Sequence, residues 1–344
     1  MKQNILALID YKNSFGSKWN ATSYRGGMDK ELLKLYFEKY GLSIDFKQFS
    51  DIDFNISYPE NTIVIYTSSE DIGFHYKDYI EDIVLGLKEK GLTIVPDFKF
   101  LRANNNKVFM EMLKGIIFDE KINNLSAQYK GVLEEIGNET IKFPIVIKEA
   151  AGAMSYGVSL ANNKKELTKV LKKIARTPNI KNDLKDILRS YKHKSYIKES
   201  LYRKKFVLQQ FIPNLKSDYK ILIFGKRYYI FERPVRKNDF RASGSGNINY
   251  IYGSKVSCPK GIFDFAKDIF IQANVPHLSI DVAYDNQQFY LLEFQAIYFG
   301  TVGHVKSDGY YVNENNSWVI IKEKLEIEKV YADSIIAFLH QTIK

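Results

Sequence analysis

The chain has 344 residues and a mass of 39.9 kDa, enough for two or three domains at about 100–200 residues each. Hydrophobic residues are 45% and charged residues 26%, and one cysteine, Cys258, stands alone; a disordered or collagen-like chain, a disulfide framework and a cysteine-rich zinc site are excluded. Of the net charge of +10, the segment 162–206 holds 15 Lys/Arg against 4 Asp/Glu, a local +11 that leaves −1 for the rest.

Elements follow in chain order. Ile5–Ile9 reads as a buried strand rather than a signal peptide, because Asp10 ends the apolar run and no small-residue cleavage site follows. No apolar run reaches the roughly 18 residues of a membrane span, so the cytoplasm is the expected compartment. Lys30–Tyr40 has helical periodicity and Gly41 suits its end. Ser43–Phe49, Thr62–Tyr66 and Leu92–Pro96 read as strands, and Tyr76–Lys90 as an amphipathic helix. Strand and helix alternating at these spacings predict a parallel α/β sheet. Residues 10–16 lack the dinucleotide-binding fingerprint, which argues against a nicotinamide cofactor.

Lys107–Ile116 reads as a helix, Thr140–Lys148 as a strand, and Gly157–Leu160 as its hairpin partner. Lys164–Arg176 and Asp183–Ser190 read as basic helices. Their charge fits solvated faces, a phosphate-facing lid or a nucleic-acid surface; no zinc-finger or RNA-binding signature favours the last. Phe206–Phe211 is an apolar strand. Asp218–Phe224 with Arg227–Glu232, and Leu278–Ala283 with Phe289–Phe294, read as hairpins, Ile262–Ala273 as a helix, and Leu325–Lys344 as a closing amphipathic helix.

Three stretches carry chemistry. In the first, a strand ends in Lys148 and runs into the small-residue loop 150–157. Small residues let backbone N–H groups approach an anion, and the lysine adds charge; the Gly-Lys-Ser/Thr ending of a Walker A loop is absent. In the second, Asp281, Glu293 and Gln295 lie in apolar strands, where carboxylates are costly unless paired or metal-bound. Period 2 puts Glu293 and Gln295 on one face, and the hairpin brings Asp281 beside them, a hard-oxygen set suited to Mg²⁺. The third is the strand Phe206–Phe211 followed by Asp218, an edge that can meet adenine and an acid that can meet ribose, or equally a plain core strand.

In this order the pieces resemble the ATP-grasp superfamily, most of all RimK-type glutamate ligases and, more distantly, D-alanine–D-alanine ligase; the resemblance spans about residues 101–303. It implies an α/β fold with an N-terminal parallel α/β domain at 1–100, a central lid domain at 101–205 and a C-terminal antiparallel-sheet domain at 206–344, with ATP between the last two. It implies that Lys107 and Lys148 contact the nucleotide, that the loop Gly152–Gly157 with Ser155 covers the phosphates, that Gln209, Gln210, Phe211 and Ile212 form the adenine hinge, and that Asp218 holds ribose. Arg241, Lys148 and Lys220 are the implied catalytic groups; Asp281, Glu293 and Gln295 are the implied ligands of one or two Mg²⁺ ions, Mn²⁺ being an alternative. Gln295 stands where the family has Asn, Ser279 where D-alanine ligases have Arg, and Gln209 where an acid is common. Arg233 or Arg241 would take over the missing basic role. Arg233, Ser243 and Gly244 join the substrate-side candidates.

Two further candidates come from position alone. The loop 19–29 follows the first strand, where the ligand crevice of a parallel sheet lies, and Arg25 offers a fork for a carboxylate or phosphate; Asp29 reads equally as the cap of the next helix. The five histidines show no metal spacing, but His304 follows Gln295 closely on a glycine-flanked loop and could meet the acceptor. The implied reaction is carboxylate–amine ligation through an acyl phosphate, on small-molecule substrates, by a monomer or homodimer without nucleic acid. The alternatives are a kinase on the same scaffold or a non-catalytic nucleotide-binding module.

Overall fold

The protein is described by a computed structural model over residues 4–137, 139–152, 157–235, 239–242 and 249–342. The first part runs β1 (Asn4–Ile9), α1 (Lys30–Glu38), β2 (Ser43–Gln48), β3 (Ile63–Tyr66), α2 (His75–Glu89), β4 (Thr93–Val95), α3 (Phe98–Ala103) and α4 (Lys107–Ile117). Its strands form a parallel sheet in the order β2-β1-β3-β4, as the alternation predicts. All four residues of β3 are buried, as befits a strand covered on both faces. Asp29 is the cap of α1, accepting hydrogen bonds from the Glu31 and Leu32 amides.

The second part holds β5 (Ala127–Lys130), β6 (Ile145–Glu149), β7 (Val158–Ala161), α5 (Lys164–Ile174), α6 (Ile180–Lys192) and β8 (Phe206–Gln210). The strands make a small antiparallel sheet, β5-β8-β6-β7. A boundary after residue 205 would separate β8 from β6, with which it pairs from Ile145↔Gln210 to Glu149↔Phe206. Helix α5 buries Leu167 and Leu171 against this sheet, whereas α6 buries none of its side chains.

The third part contains β9 (Ser217–Phe224), β10 (Arg227–Pro234), β11 (Ile251–Tyr252), α7 (Ile262–Ala273), β12 (His277–Tyr284), β13 (Phe289–Gln295), α8 (Val302–Lys306), β14 (Tyr310–Glu314), β15 (Ser317–Ile321) and α9 (Ile327–Thr342). Its antiparallel sheet runs β13-β12-β9-β10-β14-β15, with β11 on β10. Asn315 and Asn316 turn the β14–β15 hairpin at φ 50° and 64°, the left-handed pair that a two-residue hairpin loop requires.

The parts share cores. Ile5, Leu33 and Phe37 of the first part pack with Phe224 of β9 and Tyr331 and Ile335 of α9. Phe100 and Phe118 meet Phe294 of β13 edge-on at 6.2 and 5.5 Å, so α3 and α4 are fixed on the large sheet. The fully buried carboxylate of Glu328 on α9 accepts from Lys18 Nζ and from the Asp29 amide, each at 2.8 Å, and anchors the loop between β1 and α1.

His277 opens β12 inside the shared core, with its ring 4.9 Å from that of Tyr331 and 5.9 Å from that of Phe224. Burial pushes its pKa down to about 3, against a hydrogen bond with the Ala296 backbone that acts the other way. The unfolded chain takes up this proton below about pH 6.5, so between pH 6.5 and 3 acid favours unfolding, by up to about 1.4 kcal/mol per pH unit. Urea unfolding as a function of pH should show this slope, and His277→Gln should flatten it; an unchanged slope in the variant would assign acid sensitivity elsewhere.

Candidate functional site

Strand register builds the site on one face of the large sheet. Glu293 on β13 is opposite Asp281 on β12, and Asp281 is opposite Lys220 on β9. Two residues along β9 on the same face, Asp218 is opposite Arg233 on β10. Five charged side chains thus form one connected row. Lys220 Nζ lies 2.6 Å from Asp281 Oδ1, and Arg233 Nη2 lies 2.8 Å from Asp281 Oδ2. The Nε of Arg233 donates to Asp218.

Asp218, Asp281 and Arg233 are all buried, so their protonation depends on one another. Burial raises the pKa of Asp281, but Arg233 and Lys220 outweigh it and hold the carboxyl well below the carboxylate range. For Asp218, burial and the charge of Asp281 outweigh Arg233 and Lys220 and push the carboxyl up. Asp281 is therefore the more firmly ionised of the two, and Asp218 takes up a proton first as the pH falls.

The small sheet brings the opposing wall. Lys148 near the end of β6 is buried, and its Nζ lies 3.5 Å from Glu293 Oε1. Lys107, the first residue of α4, donates from Nζ to the Gly152 carbonyl at 2.5 Å. Burial disfavours the charge on Glu293, but Lys107, Lys148 and Lys220 overcome it and its pKa falls below the ordinary value. Between the walls is a cleft with a cavity volume of about 110 Å³, lined among others by Lys148, Gln209, Gln210, Phe211, Ile212, Asp218, Arg241, Asp281 and Glu293. Its apolar wall includes Val146, Val158 and Leu292.

Most of the candidates converge here, with differences. Arg241 lines the cleft but is held by Asp239, its Nη2 2.8 Å from Oδ2. Gln209 lines the cleft, and its side-chain amide donates to Glu111 Oε1 at 3.0 Å. Asp218 is committed to Arg233 instead of standing free for ribose. Gln295 is level with Ser279, outside the cleft lining, and Gly157 sits at the β6–β7 turn, where its carbonyl accepts from the Glu149 amide. His304 is on α8 with its ring 5.0 Å from Tyr229 and is absent from the lining, and Arg25 is exposed over the Tyr24 ring. Ser155, Ser243 and Gly244 lie outside the described residues.

A supporting group escaped the sequence reading. Lys114 on α4 is buried and donates to the Leu291 and Leu292 carbonyls of β13 at 3.0 and 2.9 Å and to Glu111 Oε1 at 3.0 Å. Through Glu111 it is joined to Gln209 on β8, so both walls of the cleft meet at one buried polar cluster. The signal was present: Glu111 and Lys114 interrupt the apolar stripe of KVFMEMLKGII at i and i+3.

Glu293, with Asp281 opposite it, fits the small share of a Mg²⁺ shell that protein supplies, since that ion usually takes one or two carboxylates and completes its shell with water and phosphate; Asp281 would have to yield Lys220 or Arg233 to join it. Among the described residues no group of three or more His, Cys, Asp or Glu forms a protein-only cage.

Because Arg233 partners both buried aspartates, Arg233→Met should leave two carboxylates in the sheet with too few cations. A loss of about 3–5 kcal/mol in urea unfolding is the expected result, and a loss below 1 kcal/mol would show that the aspartates rehydrate.

No protein-family model matches the chain, and no curated protein matches it. Solved structures do. A RiPP-associated ATP-grasp ligase from Chryseobacterium gregarium, in complex with ADP and a leader and core peptide, is similar over 97% of this chain and 97% of its own, at 13% identity and a TM-score of 0.55. D-cycloserine synthetase is similar over 97% and 99%, at 9% identity and a TM-score of 0.53. A macrocyclase bound with its precursor peptide, from Microcystis aeruginosa, is similar over 97% and 100%, at 10% identity and a TM-score of 0.51. At these identities the likeness is one of fold, and with its parallel N-terminal sheet, small antiparallel sheet and large antiparallel sheet the chain has the ATP-grasp fold.

Proposed function

We propose that the protein is an ATP-dependent carboxylate–amine ligase working through an acyl phosphate. The observation that carries this reading is the facing of Lys148 and Lys107 from one wall against Asp281 and Glu293 on the other, across a cleft with an apolar side. In the reaction a substrate carboxylate oxygen attacks the γ-phosphorus of ATP, and the bond to ADP breaks. The amine nitrogen then attacks the acyl carbon, inorganic phosphate leaves, and the amine proton passes to solvent or a neighbouring base. Such catalysis is mostly positioning and charge neutralisation.

Each residue has a part in it. Lys148 and Lys107 neutralise the phosphates, and the apolar residues around Phe211 and Leu292 hold the base and exclude water. Lys220 and Arg233 keep Asp281 ionised, and Lys107 and Lys148 do the same for Glu293, so both are carboxylates at neutral pH, and Asp281 would hold Mg²⁺ on exchanging one of its cations for the ion. When bound, that ion supplies charge neutralisation on the transferred phosphoryl group. Arg241 exchanges Asp239 for the acyl phosphate. Small acids and amines, or peptides such as those bound in two of the similar structures, are compatible substrates.

Purified protein with ATP, Mg²⁺, hydroxylamine and a panel of amino acids and peptides should yield a hydroxamate along with ADP. ADP with a stable phosphorylated product and no hydroxamate would make the enzyme a kinase. Asp281→Asn and Glu293→Gln should each lower turnover by about 10²–10³-fold with unfolding unchanged within error for the half-exposed Glu293; near-normal rates would refute the assignment of these carboxylates.

Arg25 gives a separate test of the loop after β1. If it grips the non-nucleotide substrate, Arg25→Ala raises that KM and leaves the KM for ATP as it was, whereas two unchanged constants make the loop structural.

A further inference from the structure

Helix α6 is built as an amphipathic helix, but its apolar side packs on nothing among the described residues. Ile180, Leu184, Ile187, Leu188 and Tyr191 recur at i, i+4, i+7, i+8 and i+11 and share one stripe. All five are exposed, Ile180 and Tyr191 at 86% and Leu188 at 60%, and Ile197 just beyond the helix is 89% exposed. Scattered apolar residues on a surface need no explanation, but a continuous helical stripe does.

The charges are sorted as well. Lys181, Lys185, Arg189 and Lys192 make a row along one edge of the stripe, all exposed. The helix's two acids point back into the protein: Asp183 lies 4.0 Å from Arg176, and Asp186 accepts from Tyr196 Oη and from the Glu199 amide. The outward face is therefore apolar and cationic only. Around it, segment 162–206 adds eleven more basic residues, on α5, at Arg176 and in the loop to β8.

We propose that α6 is a membrane-surface element that lays its apolar stripe into the headgroup region of an anionic bilayer. A second copy of the chain is a poor occupant, because it brings the same +11 segment and the remainder of the chain carries only −1. Nucleic acid would answer the charge but leave the stripe in water. An acidic peptide would cover the helix but not the basic residues of α5 and 203–205. An anionic bilayer answers both: apolar side chains enter it to the depth of the acyl boundary, lysine stems lie along it with their ammonium groups at the phosphates, and the wider charge is attracted at longer range. The tyrosine at the end of the stripe suits the interface, where an apolar ring and a polar hydroxyl are both satisfied.

Co-sedimentation of the full chain with vesicles tests this. Vesicles of phosphatidylcholine with phosphatidylglycerol should carry the protein down at low salt, and pure phosphatidylcholine vesicles should not. Leu184→Ser with Leu188→Ser should weaken partitioning by about tenfold or more per side chain, and Lys185→Glu with Arg189→Glu should also weaken it. Both double variants should keep the circular dichroism and ATP turnover of the parent, because these side chains support no core. Absence of binding to the anionic vesicles overturns the proposal, as does serine-variant binding equal to that of the parent. Binding of a helical Glu–Leu peptide in place of vesicles would assign the stripe to an acidic protein partner and likewise overturn it.

Discussion

Arg233 bridging Asp218 and Asp281 is the constraint on which the cleft depends. A sheet interior cannot hold two bare carboxylates side by side. Placed between them, one guanidinium lets one strand register carry both acids, and its fork geometry fixes where each carboxylate points. Lys220 then biases the shared charge towards Asp281. Everything else at the site follows from that asymmetry. Glu293, one strand further out, has Asp281 as a fixed negative neighbour and so requires cations from across the cleft, which Lys107 and Lys148 provide. The walls are drawn together by electrostatics that no single domain contains.

A second, drier connection sets the spacing of the walls. Lys114 reaches two carbonyls of β13 from α4, and Glu111 ties the same cluster to β8. Burial lowers the pKa of Lys114 and Glu111 opposes the fall. A buried network in which each member has a partner resists displacement, since moving one group strands another. The edge-on contacts of Phe100 and Phe118 with Phe294 reinforce it from the apolar side.

Much of this was legible in the sequence, for reasons that differ by element. The parallel N-terminal sheet was readable because a strand buried on both faces, such as β3, is apolar throughout. Acids set in apolar strands pointed to Asp281 and Glu293, and period 2 with a two-strand turn sufficed to put them side by side. Hairpin β14–β15 was not seen, because its strands Tyr310–Glu314 and Ser317–Ile321 are mostly half-buried and its turn is Asn-Asn without glycine. Strand β8 was read as an apolar strand at the head of the C-terminal part, and its pairing with β5 and β6 was hidden, since apolar character says that a strand is buried but not which sheet buries it. The partners of Gln209 and Asp218 were equally hidden: side-chain pairing depends on register between strands far apart in the chain, as Arg233 with Asp281 illustrates.

The carboxylate of Glu328 has a consequence for the order in which the molecule can form. Its two donors, Lys18 and the amide of Asp29, belong to a loop 310 and 299 residues earlier in the chain. In a chain made from its N-terminus, β1 and α1 can take shape early, but the loop between them lacks its carboxylate anchor until residue 328 has left the ribosome. Contacts of such sequence separation also close late in refolding, because the entropy of the intervening chain is lost before they return anything. The loop beside the crevice is thus among the last parts of the protein to become fixed, and its geometry reports that the whole chain has been assembled.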